Sequence, residues 1–275
     1  TDIIRAGDFF TASQSIGLHR RNLVQRTSSK PRSVQSAHTT VTEHKDSGIA
    51  NIDRPAYSAS EVARILRLPT ATVNAWCFGQ RYRDARKRDR RFKPVISPAD
   101  SRNRLLSFAD LCELHILSAI RRKHGVTLQN VRDSIDYVGK RLGLTRPLLD
   151  VQFQTNGIHL FVEHASRLLS VSQQGQEAMR SDFERLLQRI ERDPAGTPVR
   201  LYPFTRPNST DGDRVVVLEP RLAFGRPIVV PASIKTDVIR DRFNAGDSLA
   251  EMAQDFRAEQ SVIEEALRFE QRLAA

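Results

Sequence analysis

Residues 57–79 restrict the fold more than any other stretch, because they encode two short helices separated by a tight turn. Ser58 and Glu61 have capping-box spacing, and Val62, Ala63, Ile65 and Leu66 follow on one face. Leu68-Pro69 ends that helix. Thr70 or Thr72 opens the second, which carries Val73, Trp76 and Phe78 before Gly79 stops it. A Pro-punctuated segment from Gln80 to Arg104 comes next, with 10 basic and 3 acidic residues and no helical apolar stripe.

The charge distribution gives that segment its meaning. Over 275 residues the formal net charge is +11, and residues 55–146 alone carry 19 basic and 8 acidic side chains. Residues 147–275 carry 16 and 19, and so are net acidic. A field this lopsided points to a polyanion for one part of the molecule and a different partner for the rest. A short second helix can enter the major groove of duplex DNA while a basic loop beside it reaches flanking phosphates. The candidate DNA-binding residues are Thr70, Thr72 and Asn74 at the start of the helix, with Arg81, Arg83, Arg86, Lys87, Arg102 and Arg104. Arg88, Arg90, Arg91 and Lys93 add cations able to displace condensed counterions. The bland reading of a basic run is a solvated face, and the two-helix unit ahead of it argues for DNA instead.

Further along, Ser107 and Asp110 have capping-box spacing ahead of a helix with Leu111, Leu114, Ile116, Leu117 and Ile120 on its buried side. Another helix bears Val131, Ile135 and Val138 and closes near Gly143. Val151 and Phe153, then Asn156-Gly157, then Ile158, Leu160 and Val162 have the pattern of a β-hairpin, with residues 167–172 as a possible third strand. A helix is expected from about Gly175 to Arg192, with short strands at 199–204 and 215–218. The last unit contains three helices, the middle one opened by the Ser248–Glu251 capping box.

The fold class expected is α+β and mostly helical. Residues 1–54 read as a disordered or extended tail, 55–146 as a winged helix-turn-helix, 147–217 as a middle block with a β-hairpin and a helix, and 218–275 as a three-helix module. Within the tail, residues 16–29 have a composition that transit peptides also show.

Two stretches resemble known families. SASEVARILRLPTATVNAW is similar to the first two helices of the MerR-type winged helix-turn-helix, and LLSFADLCELHILSAIRRKHGVTLQNVRDSI to the helices after its wing. Asn74 stands where many members have Arg, and the long dimerisation helix of activators in that family is replaced by other sequence. Residues 219–273 resemble the small domain of unknown function 433, a predicted antitoxin domain of bacterial toxin–antitoxin pairs. The matching elements include Pro220-Arg221, Phe224-Gly225-Arg226-Pro227, Ala245-Gly246 and Ser248-Leu249.

Together the resemblances imply a cytoplasmic antitoxin that binds and neutralises a PIN-like ribonuclease toxin. They also imply a homodimer on operator DNA, where it represses its own operon. They make Arg221, Phe224, Gly225, Arg226 and Pro227 the candidate toxin-binding residues, with Arg221 or Arg226 pairing with the nuclease carboxylates, or Arg226 merely satisfying local carbonyls. The alternative is an effector- or metal-sensing MerR-like regulator with an apolar pocket in residues 147–217.

Cys112 and His115 lie one turn apart but fall short of the four ligands of a structural zinc site, so a buried Cys and a surface His are expected. With two cysteines there is no disulfide framework, and no apolar run approaches a membrane span. No phosphate-binding loop, dinucleotide fingerprint or catalytic triad spacing appears. Neither an enzyme nor a cofactor is expected.

Overall fold

A computed structural model of the chain describes residues 51–83, 87–124, 126–169, 172–205, 214–230 and 232–271. The expected tail at residues 1–50 lies outside them, as does Arg86. Residues 51–54 are already tied to the body: Ala109 N–H donates to the Ile52 carbonyl at 3.0 Å, and Arg146 reaches Asp53 at 2.6 Å.

The chain begins with β1 (Tyr57–Ser58), α1 (Ala59–Leu66) and α2 (Thr70–Phe78). The Ser58–Glu61 capping box forms in full, satisfying first-turn amides that would otherwise lack partners. Arg67 then takes a left-handed conformation, φ 55°, and turns the chain into α2. The basic segment folds as an antiparallel hairpin of β2 (Gln80–Arg83) and β3 (Asp89–Phe92), the wing. β4 (Leu105–Leu106) pairs with β1 and leads into α3 (Phe108–His124) and α4 (Leu128–Leu142). Ser107 and Asp110 cap α3 reciprocally, at 2.8 and 3.1 Å.

Where a hairpin centred on Asn156-Gly157 was expected, the chain is helical from residue 151 to 169, and this corrects that reading. A π-turn over Phe153–Gly157 runs directly into α5 (Ile158–Leu169). Two periods compete in this stretch. Phe153, Ile158, Phe161, Val162 and Ala165 are all buried, as one helical face requires, whereas Val151 is exposed and Leu160 only half-buried. Burial of the helical face decides it, because Phe153, Phe161 and Phe183 form an aromatic trio with centroids 5.0–6.3 Å apart. Gly157 serves packing, not a turn. A Cβ there would sit 2.7 Å from the Phe153 ring.

α6 (Gln173–Leu187) is shorter than expected. It gives way to the antiparallel pair β5 (Ile190–Arg192) and β6 (Pro198–Leu201), so the hairpin of this block lies here. The expected third strand at 167–172 is helix through Leu169, and residues 170–171 lie outside the described set. One continuous apolar core runs from Tyr57 to Leu218, so α5 and α6 complete the core of the front domain.

The C-terminal module is a small sheet, β7 (Val216–Val217), β8 (Ile228–Val229) and β9 (Ile234–Lys235), followed by α7 (Thr236–Asn244), α8 (Leu249–Phe256) and α9 (Gln260–Gln271). It has its own core of Val229, Ile239, Met252, Ile263, Ala266 and Leu267. The architecture is α+β and mostly helical. Among the described residues, no helix is long and apolar enough to cross a membrane.

Candidate nucleic-acid interface

The wing register sorts its side chains by face. Arg81 stands opposite Arg91 and Arg83 opposite Asp89, while Gln80–Phe92 and Tyr82–Arg90 fall on the other side. Arg81, Arg83, Lys87, Arg88, Arg90, Arg91 and Lys93 are all exposed. A surface pair at 3.2 Å joins Arg83 to Asp89. Like charges directly opposite each other destabilise a two-stranded ribbon, so the Arg81–Arg91 pair weakens the wing when nothing anionic is near.

Two arginines absent from the sequence-derived set brace this surface, Arg132 at the wing and Arg121 at α2. Arg132 on α4 lies 4.5 Å from the Phe92 ring centroid and donates to the Lys93 carbonyl. Arg121 on α3 lies 5.6 Å from the Trp76 ring. No local motif marks either, since each acts across the tertiary seam. Between wing and α2 runs a cleft of about 340 Å³, bordered by Ala71, Thr72, Ala75, Tyr82 and Phe92.

α2 is the second part of the surface. It starts after Pro69 with no side chain capping its first amides, leaving a helix N-terminus suited to phosphate. Thr70 is exposed, and Thr72 and Asn74 are half-buried. Asn74 donates to the Thr70 carbonyl at 3.0 Å and accepts from Arg104 at 2.6 Å. Arg104 also stacks on Phe78 at 4.2 Å, so it braces the outer face of α2 besides adding charge. Arg102 lies exposed in the neighbouring turn. Thr70, Thr72, Asn74, Arg104 and the exposed wing cations therefore surround α2 and its wing.

The candidate toxin-binding residues lie elsewhere, in the loop before β8. Arg221 is exposed, and Phe224 is 93% exposed. Gly225 and Pro227 are buried. Arg226 is committed within the chain: it pairs with Glu61 of α1. Its partner is a carboxylate 165 residues away in the chain and not a local carbonyl.

Cys112 is fully buried and its thiol is pushed up by that burial, so it stays protonated. His115, expected at the surface, is 1% exposed and stacks on Phe204 at 5.0 Å. Helix α3 is buried nearly all round, so its polar face has no solvent to meet. Behind it, Arg146 bridges Asp53, Asp110 and Glu113, and burial pushes the Glu113 carboxyl up to about 7 while the Arg146 charge pulls it back. The sequence gives no hint of this cluster.

Residues 55–135 match the family model described as "Putative DNA-binding HTH domain". The front of the chain is a helix-turn-helix domain. This helix-turn-helix spans α1, α2, the wing, α3 and the first half of α4. Over 233 residues the chain is 28% identical to "Putative antitoxin VapB45" of Mycobacterium tuberculosis, across 78% of this chain and 93% of that protein. The crystal structure of Rv2018 from Mycobacterium tuberculosis matches with a TM-score of 0.58 at 21% identity. It covers 78% of this chain and 99% of that one, a likeness of fold.

Proposed function

We propose that this protein is the antitoxin of a toxin–antitoxin pair, a MerR-like winged helix-turn-helix that binds operator DNA as a homodimer and represses its own operon. The observation that carries the DNA half is the Arg81–Arg91 pair on an uncovered wing beside the open N-terminus of α2. A polyanion removes the cross-strand repulsion, so the wing gains most when a phosphate backbone lies against it. One small reader buries too little surface for high specificity, which favours a dimer on paired half-sites.

The second half of the proposal assigns the C-terminal module to a PIN-like ribonuclease toxin in the cytoplasm. Its support is the Phe224 tip beside Arg221: an exposed aromatic next to a guanidinium is the combination that anchors protein interfaces. The relative named as an antitoxin supports a toxin as a partner of this chain. Arg226 takes part only if it leaves Glu61.

The test uses the full chain and a duplex from upstream of its gene. Five to eight phosphate contacts require affinity to fall about 10³-fold or more between 50 and 200 mM salt. Coexpression with the neighbouring gene should give a stoichiometric complex that loses nuclease activity, and Phe224→Ala should release the nuclease. A salt-independent affinity sinks the first half, and a neighbour unrelated to nucleases sinks the second.

A further inference from the structure

Of the three carboxylates that share Arg146, Glu113 is the one left short of partners. The Asp53 side chain is 64% exposed and is solvated by water. Asp110 accepts from the Ala99 and Ser107 amides at 2.9 and 2.8 Å. Glu113 is only 5% exposed, and Nε and Nη2 of Arg146 both donate to its Oε2, at 3.1 and 2.7 Å. Among the described residues, no hydrogen bond reaches its Oε1. A buried carboxylate oxygen without a donor is costly, and few proteins keep one without a use.

Glu113 lines a cavity of about 520 Å³, within the size range of small-molecule sites. Helix α4 contributes Ile135 and Gly139, and the turn after it contributes Pro147 and Leu148. Ile96, from the segment that follows the wing, adds to the apolar floor, and all five residues are buried. Asp136 and Lys140 are exposed at the mouth. Such a space takes a molecule with an apolar body and one polar end.

Charge decides the sign of that end. An anion would need an uncommitted cation deep in the cavity, and Arg146 is engaged by three carboxylates. Lys140 stands at the mouth, where water screens it. A cation, by contrast, meets a desolvated oxygen with no donor, in a cluster where one guanidinium serves three carboxylates. Hydrogen bonds between such ionised partners are short and strong.

We propose that this cavity binds a small primary ammonium compound with an aliphatic body, whose ammonium group donates to Oε1 of Glu113. The site shares no residue with the α2–wing surface or with the loop before β8, so it stands whether or not the chain binds DNA or a toxin. Asp53, Asp110 and Asp136 favour the bound cation, Arg146 and Lys140 oppose it, and the protonated Cys112 thiol adds no charge. The ammonium stabilises ionised Glu113, whose carboxyl otherwise titrates at about 7, so binding in mild acid expels a proton. Affinity should therefore rise roughly 10-fold or more from about pH 5.5 to about pH 8 and then level off.

Titration calorimetry on the full chain tests this with n-pentylammonium as the probe and n-pentanol, pentanamide and pentanoate as controls. Pentylammonium should bind at least about 10-fold tighter than any control. Glu113→Gln should weaken it about 10- to 100-fold and remove the pH dependence, with thermal unfolding reporting that the variant is folded. Lys140→Gln removes an opposing charge at the exposed mouth and should tighten binding about 2- to 5-fold. That variant and the control series decide the matter even if Glu113→Gln fails to fold. Equal affinity for pentanol or pentanamide overturns the proposal, because Glu113 then acts as a neutral acid. Tighter binding of pentanoate overturns it in favour of Lys140 or Arg146. A wild-type chain that ignores pentylammonium, or a folded Glu113→Gln variant that binds it as wild type does, removes the site.

Discussion

Arg64 and Glu270, 206 residues apart in sequence, meet at 3.0 Å, and the Glu270 side chain is entirely buried there. Glu270 also receives Arg240 at 3.0 Å and the Thr236 hydroxyl at 2.5 Å, so one carboxylate joins α1, α7 and α9. Removing it leaves two cations facing each other across the seam. Glu270→Ala should cost about 3 kcal/mol, near the lower end for breaking a buried pair, since both arginines retain some access to water. Arg64→Ala should cost about 1 kcal/mol, because Arg240 still compensates Glu270. Thermal unfolding of the two variants checks the order.

On the wing, stability and binding should move in opposite directions. Arg81→Ala relieves the cross-strand repulsion with Arg91 and should raise stability by a few tenths of a kcal/mol. The same change should weaken duplex binding and lower the salt slope by about 1. Paired melting and salt titrations read both signs.

Arg132 offers a contrast. It holds the wing from behind through Phe92 and the Lys93 carbonyl. Arg132→Ala should weaken duplex binding about 10-fold by freeing the wing, a loss of preorganisation. Its salt slope should match wild type, because no phosphate contact is lost. A slope lowered by about 1 would instead make Arg132 a phosphate ligand.

Gly225→Ala should be among the most damaging small substitutions in the chain. It forces a side chain to φ 75° and into the Tyr57 hydroxyl, for about 2 kcal/mol or more. Tyr57→Phe removes the hydroxyl and should recover part of that loss, leaving the backbone strain. Denaturant unfolding of the single and double variants reads the recovery.

The Glu113 carboxyl gives a pH signature. Burial raises it from 4.5 in the unfolded chain to about 7 when folded. Between those values the folded state holds a proton that the unfolded state has released. The contribution of this group is therefore fully present below about 4.5 and is lost as the pH rises to about 7. The change is on the order of 3 kcal/mol. Glu113→Gln should flatten that portion of the stability profile and equal or exceed wild-type stability at pH 8. A profile unchanged by the substitution would mean that Arg146 keeps Glu113 ionised.

Much of the front domain was legible in the sequence because its signals are local. Ser58 and Glu61, Ser107 and Asp110, and Ser248 and Glu251 each cap a helix through contacts three residues apart, which spacing alone reveals. The described cations of residues 81–93 are exposed because burying that many like charges is too costly, whatever surrounds them. Short-range hydrogen bonding and charge solvation were thus determined by the sequence. Tertiary structure decided the rest. Val151–Val162 fits a strand and a helix about equally well, and the pockets around Phe161 and Phe183 chose the helix. Arg226 looked available for a partner until α1 placed Glu61 beside it, and Arg146 found its three carboxylates on segments far apart in the chain. Such outcomes depend on which surfaces meet. That is settled by the total area buried and the charges paired across the whole molecule, and no window of neighbouring residues contains it.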